Sequence, residues 1–127
     1  MPLTTMPDID EAAALRIFVR LAERWSLTTE QQRTLLGGVA SSTYSDWRRR
    51  GASRMAPDTL ERTSHLLHID RDLRSIFNPR DDLARSWLRQ PNENPLFGGR
   101  SALDRMLAGN MEDIITVRRY LDAARLG

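Results

Sequence analysis

The chain has 127 residues, with 19 basic residues that are all arginine, 17 acidic residues and a net charge of only +2. This length allows one domain or two small ones and leaves little room for a substrate cleft, and the near balance of charge means that any nucleic-acid surface must be local. The absence of cysteine excludes disulfides and thiolate chemistry. The N-terminus lacks a basic region followed by an apolar stretch, and no apolar run reaches membrane length, so we expect a cytoplasmic protein without membrane contact.

The first predicted helix follows Met1–Pro7, a segment with two prolines that we expect to fray. Asp8 is the predicted N-cap, with Glu11 completing a capping box. The apolar residues after it recur at helical spacing and predict a stripe that packs into the core. They are Leu15, Phe18, Val19, Ala22 and Trp25.

Two short helices are predicted on either side of a glycine pair. Thr28 and Gln31 cap the first, which stops at Gly37-Gly38, and the second runs from about Ser41 to Arg50. A short helix, a glycine turn and a second helix ending in arginines are typical of a helix-turn-helix, whose second helix lies in the major groove of DNA.

The spacing of the second of these helices separates an inner from an outer face. Val39, Tyr44 and Trp47 are predicted to pack on the scaffold, which leaves small hydroxyl residues and arginines outward to contact phosphates or base edges. The predicted DNA-binding residues are Ser41, Ser42, Thr43, Ser45, Asp46, Arg48, Arg49, Arg50 and Arg54.

Other interpretations of these residues stay open. The serines also suit helix capping, and the arginine run suits a solvated helix end that complements the helix dipole. Asp46 stands where such proteins often place a base-reading Gln or Arg, and Gln32 and Arg33 stand where the scaffold helix commonly has small residues. A carboxylate near phosphates is repelled unless it accepts from a cytosine amine, so Asp46 is expected to weaken DNA binding.

A long helical stretch is predicted from Pro57 to Phe77, and its pattern does not show whether it breaks near His68. Asn78 is the predicted N-cap of the next helix, with Pro79 at its first position. The acids expected in its first turn are Asp81 and Asp82, and its predicted inner face is Leu83, Ala84, Trp87 and Leu88. We find no flexible linker pattern between the two ends of the chain, so we expect them to be held rigidly.

The last third predicts two further helices. Ser101 with Asp104 caps the first, Gly109 stops it, and Asn110 caps the second. The predicted inner face of the final helix is Ile114, Val117, Leu121 and Ala124. Such narrow apolar faces need other helices or another chain to cover them, and the sequence as a whole predicts an all-α protein of about seven helices.

Candidate catalytic and metal sites are weak. His65 and His68 lie three residues apart near Glu61, but no further ligand supports a metal site. There is no phosphate-binding glycine loop and no sequence-evident catalytic triad. We therefore expect no enzymatic activity, no metal and no cofactor.

Several short motifs of the last third occur together. They are Trp87-Leu88, Pro91-Asn92, Gly98-Gly99-Arg100-Ser101, Leu107-Ala108-Gly109 and Val117-Arg118-Arg119-Tyr120-Leu121. With them the chain resembles the C-terminal toxin-binding domain of the Xre/MbcA/ParS antitoxins over about Pro79–Gly127, and a looser likeness extends back to about Leu27. The resemblance implies a type II antitoxin that binds an inverted repeat in its own operon and neutralises a RES-type toxin, an enzyme that degrades NAD.

The resemblance also implies where the partners bind. Residues 1–55 would form the helix-turn-helix domain and residues 56–127 a helical domain for dimerisation and toxin binding, with the C-terminal end at the mouth of the toxin's active site. The toxin-binding residues expected on this basis are Arg100, Arg118, Arg119, Tyr120, Leu121, Arg125, Leu126 and Gly127. We expect a homodimer. The alternative is a helix-turn-helix transcriptional regulator whose C-terminal helices only dimerise.

Overall fold

The computed structural model describes residues 10–126, and over that range the chain forms seven α-helices and one short 3₁₀ turn. The helices are α1 (Glu11–Arg24), α2 (Thr29–Leu35), α3 (Ser41–Arg50), α4 (Pro57–Phe77), α5 (Asp81–Arg89), α6 (Ala102–Met106) and α7 (Met111–Leu126), and the 3₁₀ turn is Pro95–Phe97. The prediction of an all-α protein with about seven helices is confirmed. Among these residues, no helix is both long and apolar enough to cross a bilayer.

The N-terminal cap differs from the prediction. The side chain of Asp10 caps α1 and accepts from the backbone N–H of Ala13 at 2.6 Å. Asp8 and the segment expected to fray lie outside the described residues. Glu11 is not part of a capping box, because its carboxylate accepts from the backbone N–H of Met55 at 2.5 Å and ties the start of α1 to the loop before α4.

The central element is α4, which continues unbroken for 21 residues past His68. It packs against α1, α5 and α7, with Leu66, Ile69 and Leu73 fully buried. One hydrophobic cluster runs through both ends of the chain, from Leu15 in α1 to Leu121 in α7. Because a single core spans α1, α4 and α7, the two ends are packed in a defined relative position, as the absence of a flexible linker pattern predicted.

The start of α5 was predicted wrongly. Asn78 is the C-cap of α4, with φ of −50° and ψ of 133°, and the N–H of Arg80 donates to the carbonyl of Phe77. The chain therefore turns before the new helix begins at Asp81, with no side-chain cap. Leu83 was predicted on the inner face of this helix, but it is 43% exposed.

The predicted start and end of α6 are present, whereas the expected capping of α7 by Asn110 stays a prediction. The Ser101 hydroxyl accepts from the N–H of Asp104 at 3.0 Å and starts α6, and Gly109 adopts a positive φ of 97° before α7. Along α7, Ile114, Val117 and Leu121 are buried. Ala124 is exposed, contrary to prediction, because the last turns of α7 extend beyond the core.

Candidate functional sites

Gln32 and Arg33, which stand where the scaffold helix commonly has small residues, stabilise the turn between α2 and α3. The Gln32 amide is buried and donates to the carbonyl of Leu27 at 3.0 Å, while its oxygen accepts from the Tyr44 hydroxyl at 2.5 Å. Arg33 donates from Nε to the carbonyl of Val39 at 2.8 Å, on the far side of the glycine turn. Both side chains therefore stabilise the helix-turn-helix geometry.

The faces of α3 are arranged as its sequence predicted. Tyr44 and Trp47 are buried, and burial raises the pKa of Tyr44 to about 12 in spite of the nearby Arg48 guanidinium. The hydroxyl residues outside are all exposed, and they are Ser41, Ser42, Thr43 and Ser45. The N-cap is Ala40, with no side-chain hydrogen bond, so Ser41 does not cap α3 and its hydroxyl is not used for that purpose.

The charges on α3 are partly neutralised within the helix. The Asp46 carboxylate lies 3.6 Å from the guanidinium of Arg49 and 3.4 Å from that of Arg50. Arg48 instead lies over the Tyr44 ring, 6.0 Å from its centroid, and Arg54 is exposed in the following loop. The exposed face of α3 thus combines hydroxyl donors with guanidinium groups, which is chemistry suited to an anionic backbone.

A second site lies where α5, the 3₁₀ turn and α7 meet. The Tyr120 ring stacks on Trp87 with centroids 6.0 Å apart, and Phe97 meets both rings edge-on at 5.3 and 6.3 Å. Phe97 is buried, while Trp87 and Tyr120 are half-buried. We call these three residues the aromatic cluster, which presents two large rings at the surface on a rigid support.

The side chains predicted to bind a toxin fall into two groups. Arg100 and Arg119 are exposed, as is Leu126 at 77%. Leu121 is only 2% exposed and belongs to the core, so it does not provide the expected apolar contact with a partner. Gly127 lies outside the described residues.

The arginines at the inner side of α7 are engaged within the chain. Arg118 donates to Nδ1 of His65 at 2.9 Å and lies 3.6 Å from Asp122. Arg125 lies 2.7 Å from a carboxylate oxygen of Asp72, whose side chain is wholly buried. Within this chain, Arg125, one of the expected toxin-binding residues, thus fixes the last turn of α7 on α4.

Asp72 lies beside a second carboxylate, that of Asp122. Burial raises the pKa of Asp72, and the hydrogen bond and negative charge of Asp122 raise it further, whereas Arg71 and Arg125 oppose the shift. The hydrogen bond from Asp72 in turn lowers the pKa of Asp122. The two shifts have opposite directions, so Asp122 loses its proton at a lower pH than Asp72 does.

Two families of antitoxin domains match this chain. The model described as the antitoxin Xre-like helix-turn-helix domain matches residues 6–68, and that of the antitoxin Xre/MbcA/ParS C-terminal toxin-binding domain matches residues 72–127. The chain belongs to the Xre/MbcA/ParS antitoxins. This antitoxin thus carries a helix-turn-helix and a toxin-binding domain in one chain, and the two matched segments meet within α4.

A similar protein spans the same two parts. This antitoxin is 44% identical over 124 residues to Uncharacterized protein y4oB of Sinorhizobium fredii (strain NBRC 101917 / NGR234), a match that covers 95% of this chain and 93% of that protein. The similarity therefore extends across both domains.

One surface of the antitoxin was not identified from its sequence. A groove of about 430 Å³ runs beside the aromatic cluster and is lined by Trp87, Gln90, Pro91, Asn92, Glu93 and Tyr120. The tryptophan and the proline-asparagine pair were evident as family motifs, but their contact with Tyr120 depends on the docking of α5 on α7. No short-range pattern in the sequence contains that information.

The two histidines of this antitoxin have separate contacts, and Nδ1 of His68 lies 2.9 Å from the backbone carbonyl of Ser64. Nε2 of His65 lies 3.5 Å from the Glu61 carboxylate, and Nδ1 is occupied by Arg118. Burial lowers the pKa of His65, and the Glu61 hydrogen bond only partly offsets this effect. Among residues 10–126, no three His, Asp or Glu side chains are grouped to hold a metal ion.

Proposed function

We propose that this antitoxin neutralises a RES-type toxin that degrades NAD by direct protein contact, and that it represses its own operon as a homodimer bound to an inverted repeat. The observation that carries the proposal is the placement of two separate exposed surfaces on one core centred on α4. One is the hydroxyl and arginine face of α3, and the other is the aromatic cluster with the end of α7.

The DNA-binding part of the proposal assigns residues 1–55 to the operator. The exposed hydroxyls at the N-terminus of α3 would reach base edges or phosphates, with Ser42 contributing to sequence preference, and the guanidinium groups near its C-terminus would contact phosphates. The Asp46 pairs lower the positive charge available on this face, so we propose moderate affinity and a strong salt dependence.

The toxin-binding part assigns residues 56–127 to the toxin and to dimerisation. Tyrosine, tryptophan and arginine are the residue types most enriched at interface hot spots, and here Tyr120, Arg119 and Arg100 are available at the surface. Leu126 and Gly127 would enter the mouth of the toxin's active site. Arg118 and Arg125 would act indirectly, because their contacts with His65 and Asp72 hold α7 in place.

The test is NAD consumption by the purified toxin encoded next to the antitoxin gene, with saturating antitoxin in the cytoplasmic pH range. Full-length antitoxin is expected to inhibit, and a variant that lacks residues 126–127 is expected to bind but to inhibit less. Deleting only residues 126–127 tests the tail by itself, because Arg125 and its contact with Asp72 are retained. Full inhibition by the shortened chain would refute the plugging role of the tail, and absence of complex formation would refute toxin binding.

The homodimer is tested separately. Reading an inverted repeat with two copies of α3 requires half-sites about one helical turn, ~34 Å, apart, which a symmetric dimer supplies. Sedimentation at micromolar concentration is expected to show a dimer. A monomer at all concentrations would overturn this part of the proposal and leave toxin binding to be judged on its own assay.

A further inference from the structure

A cationic groove runs between α1 and α3, next to the face of α3 proposed to bind DNA. Its volume is about 460 Å³. The lining residues are Ala12, Leu15, Arg16, Val19, Arg20, Trp47, Arg48, Arg50 and Gly51. Four of these are arginines and none is acidic, so the groove is complementary to an anion.

Two of these arginines belong to α1 and were not among the predicted DNA-binding residues. Arg16 and Arg20 are one helical turn apart, on the same side of α1, and both are exposed. Among residues 10–126, neither side chain forms an ion pair or a hydrogen bond. By contrast, Arg50 on the opposite wall is 3.4 Å from Asp46. Within the part of the chain that the structure describes, the α1 side therefore carries guanidinium groups with no acidic partner, whereas the charge of α3 is partly neutralised.

The floor of the groove keeps these guanidinium groups apart from the core. Leu15 and Trp47 are buried and Val19 is half-buried, so the groove has an apolar floor, whereas Arg16 and Arg20 at its edge are exposed. A guanidinium in this setting matches phosphate oxygens in a bidentate geometry.

We infer that Arg16 and Arg20 form a phosphate clamp that holds one strand of the operator backbone beside α3. This inference rests on the proposed DNA binding and extends the DNA-contacting surface to α1. A nucleic acid is favoured over an acidic protein because α3 forms both one wall of the groove and the adjacent DNA-reading face, so that one duplex can span both. The clamp would contribute affinity and register but no sequence preference, since phosphates are the same at every base pair.

The test compares Arg16→Gln/Arg20→Gln with Arg74→Gln/Arg80→Gln. The second pair removes the same number of positive charges from exposed residues away from the groove, of which Arg74 is paired with Asp70 and Arg80 with Asp82. The probes are a labelled duplex that covers the promoter of the antitoxin's own operon and a scrambled duplex of equal length. Binding is measured by fluorescence anisotropy over a range of salt concentrations.

If the clamp forms, Arg16→Gln/Arg20→Gln should lose about eightfold in DNA affinity per lost phosphate contact at ~0.1 M salt. The slope of log K against log salt concentration should become flatter by about 0.9 per lost contact. The loss should be equal on the two duplexes, and the matched control should retain the wild-type slope. Wild-type binding with the same slope in both double variants would overturn the clamp while leaving DNA binding intact. No binding of either duplex by the wild-type chain would overturn the proposed DNA function and the clamp together.

Discussion

The ion pair between Arg125 and Asp72 holds the last turn of α7 on α4, and Arg125→Met tests its strength. The Asp72 side chain has no exposed surface, while Arg125 is 32% exposed. Arg71 lies 3.4 Å from the same carboxylate oxygen, and the neighbouring Asp122 carboxylate adds negative charge. Loss of Arg125 therefore leaves a buried carboxylate with one weaker partner.

The expected cost follows from that geometry. Breaking a fully buried pair costs about 3–5 kcal/mol, but here solvent screens Arg125 and Arg71 remains nearby. We expect the free energy of unfolding to fall by about 1–2 kcal/mol near pH 7, with a drop in Tm of about 3–8 °C for a chain of this size.

The pH dependence has a defined sign. The pKa of Asp72 is raised in the folded state, so the folded chain retains this proton above the unfolded value of about 3.9. Ionisation of Asp72 thus lowers stability as pH rises from about 4 through the folded-state pKa. Arg125 opposes that shift, so Arg125→Met should cost little below about pH 4 and most near neutral pH.

The assay is urea unfolding of the wild type, Arg125→Met, Asp72→Asn and the double variant at about pH 4.5 and about pH 7.5. Arg119→Met on the exposed side of α7 is the control. The cost of Arg125→Met should grow with pH and shrink in the Asp72→Asn background, because the asparagine has no charge to pair. Equal losses at both pH values, or strict additivity, would refute the reasoning.

Three further substitutions follow from the same structure. Gly37→Ala should lower the free energy of unfolding by about 2–3 kcal/mol, because φ is 102° and the added Cβ would lie 2.9 Å from a carboxylate oxygen of Asp58 in α4. Gly38→Ala should cost only about 1 kcal/mol, because φ is 84° but the space around it is open. Thermal unfolding of both variants measures the difference. Asp46→Asn should tighten operator binding by about threefold to tenfold and steepen its salt dependence, since two guanidinium groups lose their partner; weaker binding would instead assign Asp46 a direct base contact. Tyr120→Ala should weaken the complex with the toxin by about tenfold or more in calorimetry, while Tyr120→Phe, which retains the stacked ring, should bind within about threefold, and equal loss in both would implicate the hydroxyl.

Local signals in the sequence were sufficient for most of the helix boundaries and for the helix-turn-helix. The Thr28 and Gln31 capping box, the glycine turn and the extent of α3 are all present as predicted. Each of these depends on backbone groups within a few residues, so neighbouring side chains determine it. Two local signals competed at Asn78, which was expected to be the N-cap of α5 but is the C-cap of α4.

Only the tertiary structure decided what the polar and aromatic side chains contact. Gln32 acquires its role from the position of Tyr44 on α3, and the stacking of Trp87 on Tyr120 requires α5 to dock against α7. Arg125 is turned inward by the buried Asp72, and the α1 arginines line one groove with Arg48 and Arg50 only because α1 lies beside α3. These contacts join residues far apart in the chain, and their geometry is set by how the helices pack around α4, which helical periodicity alone does not specify.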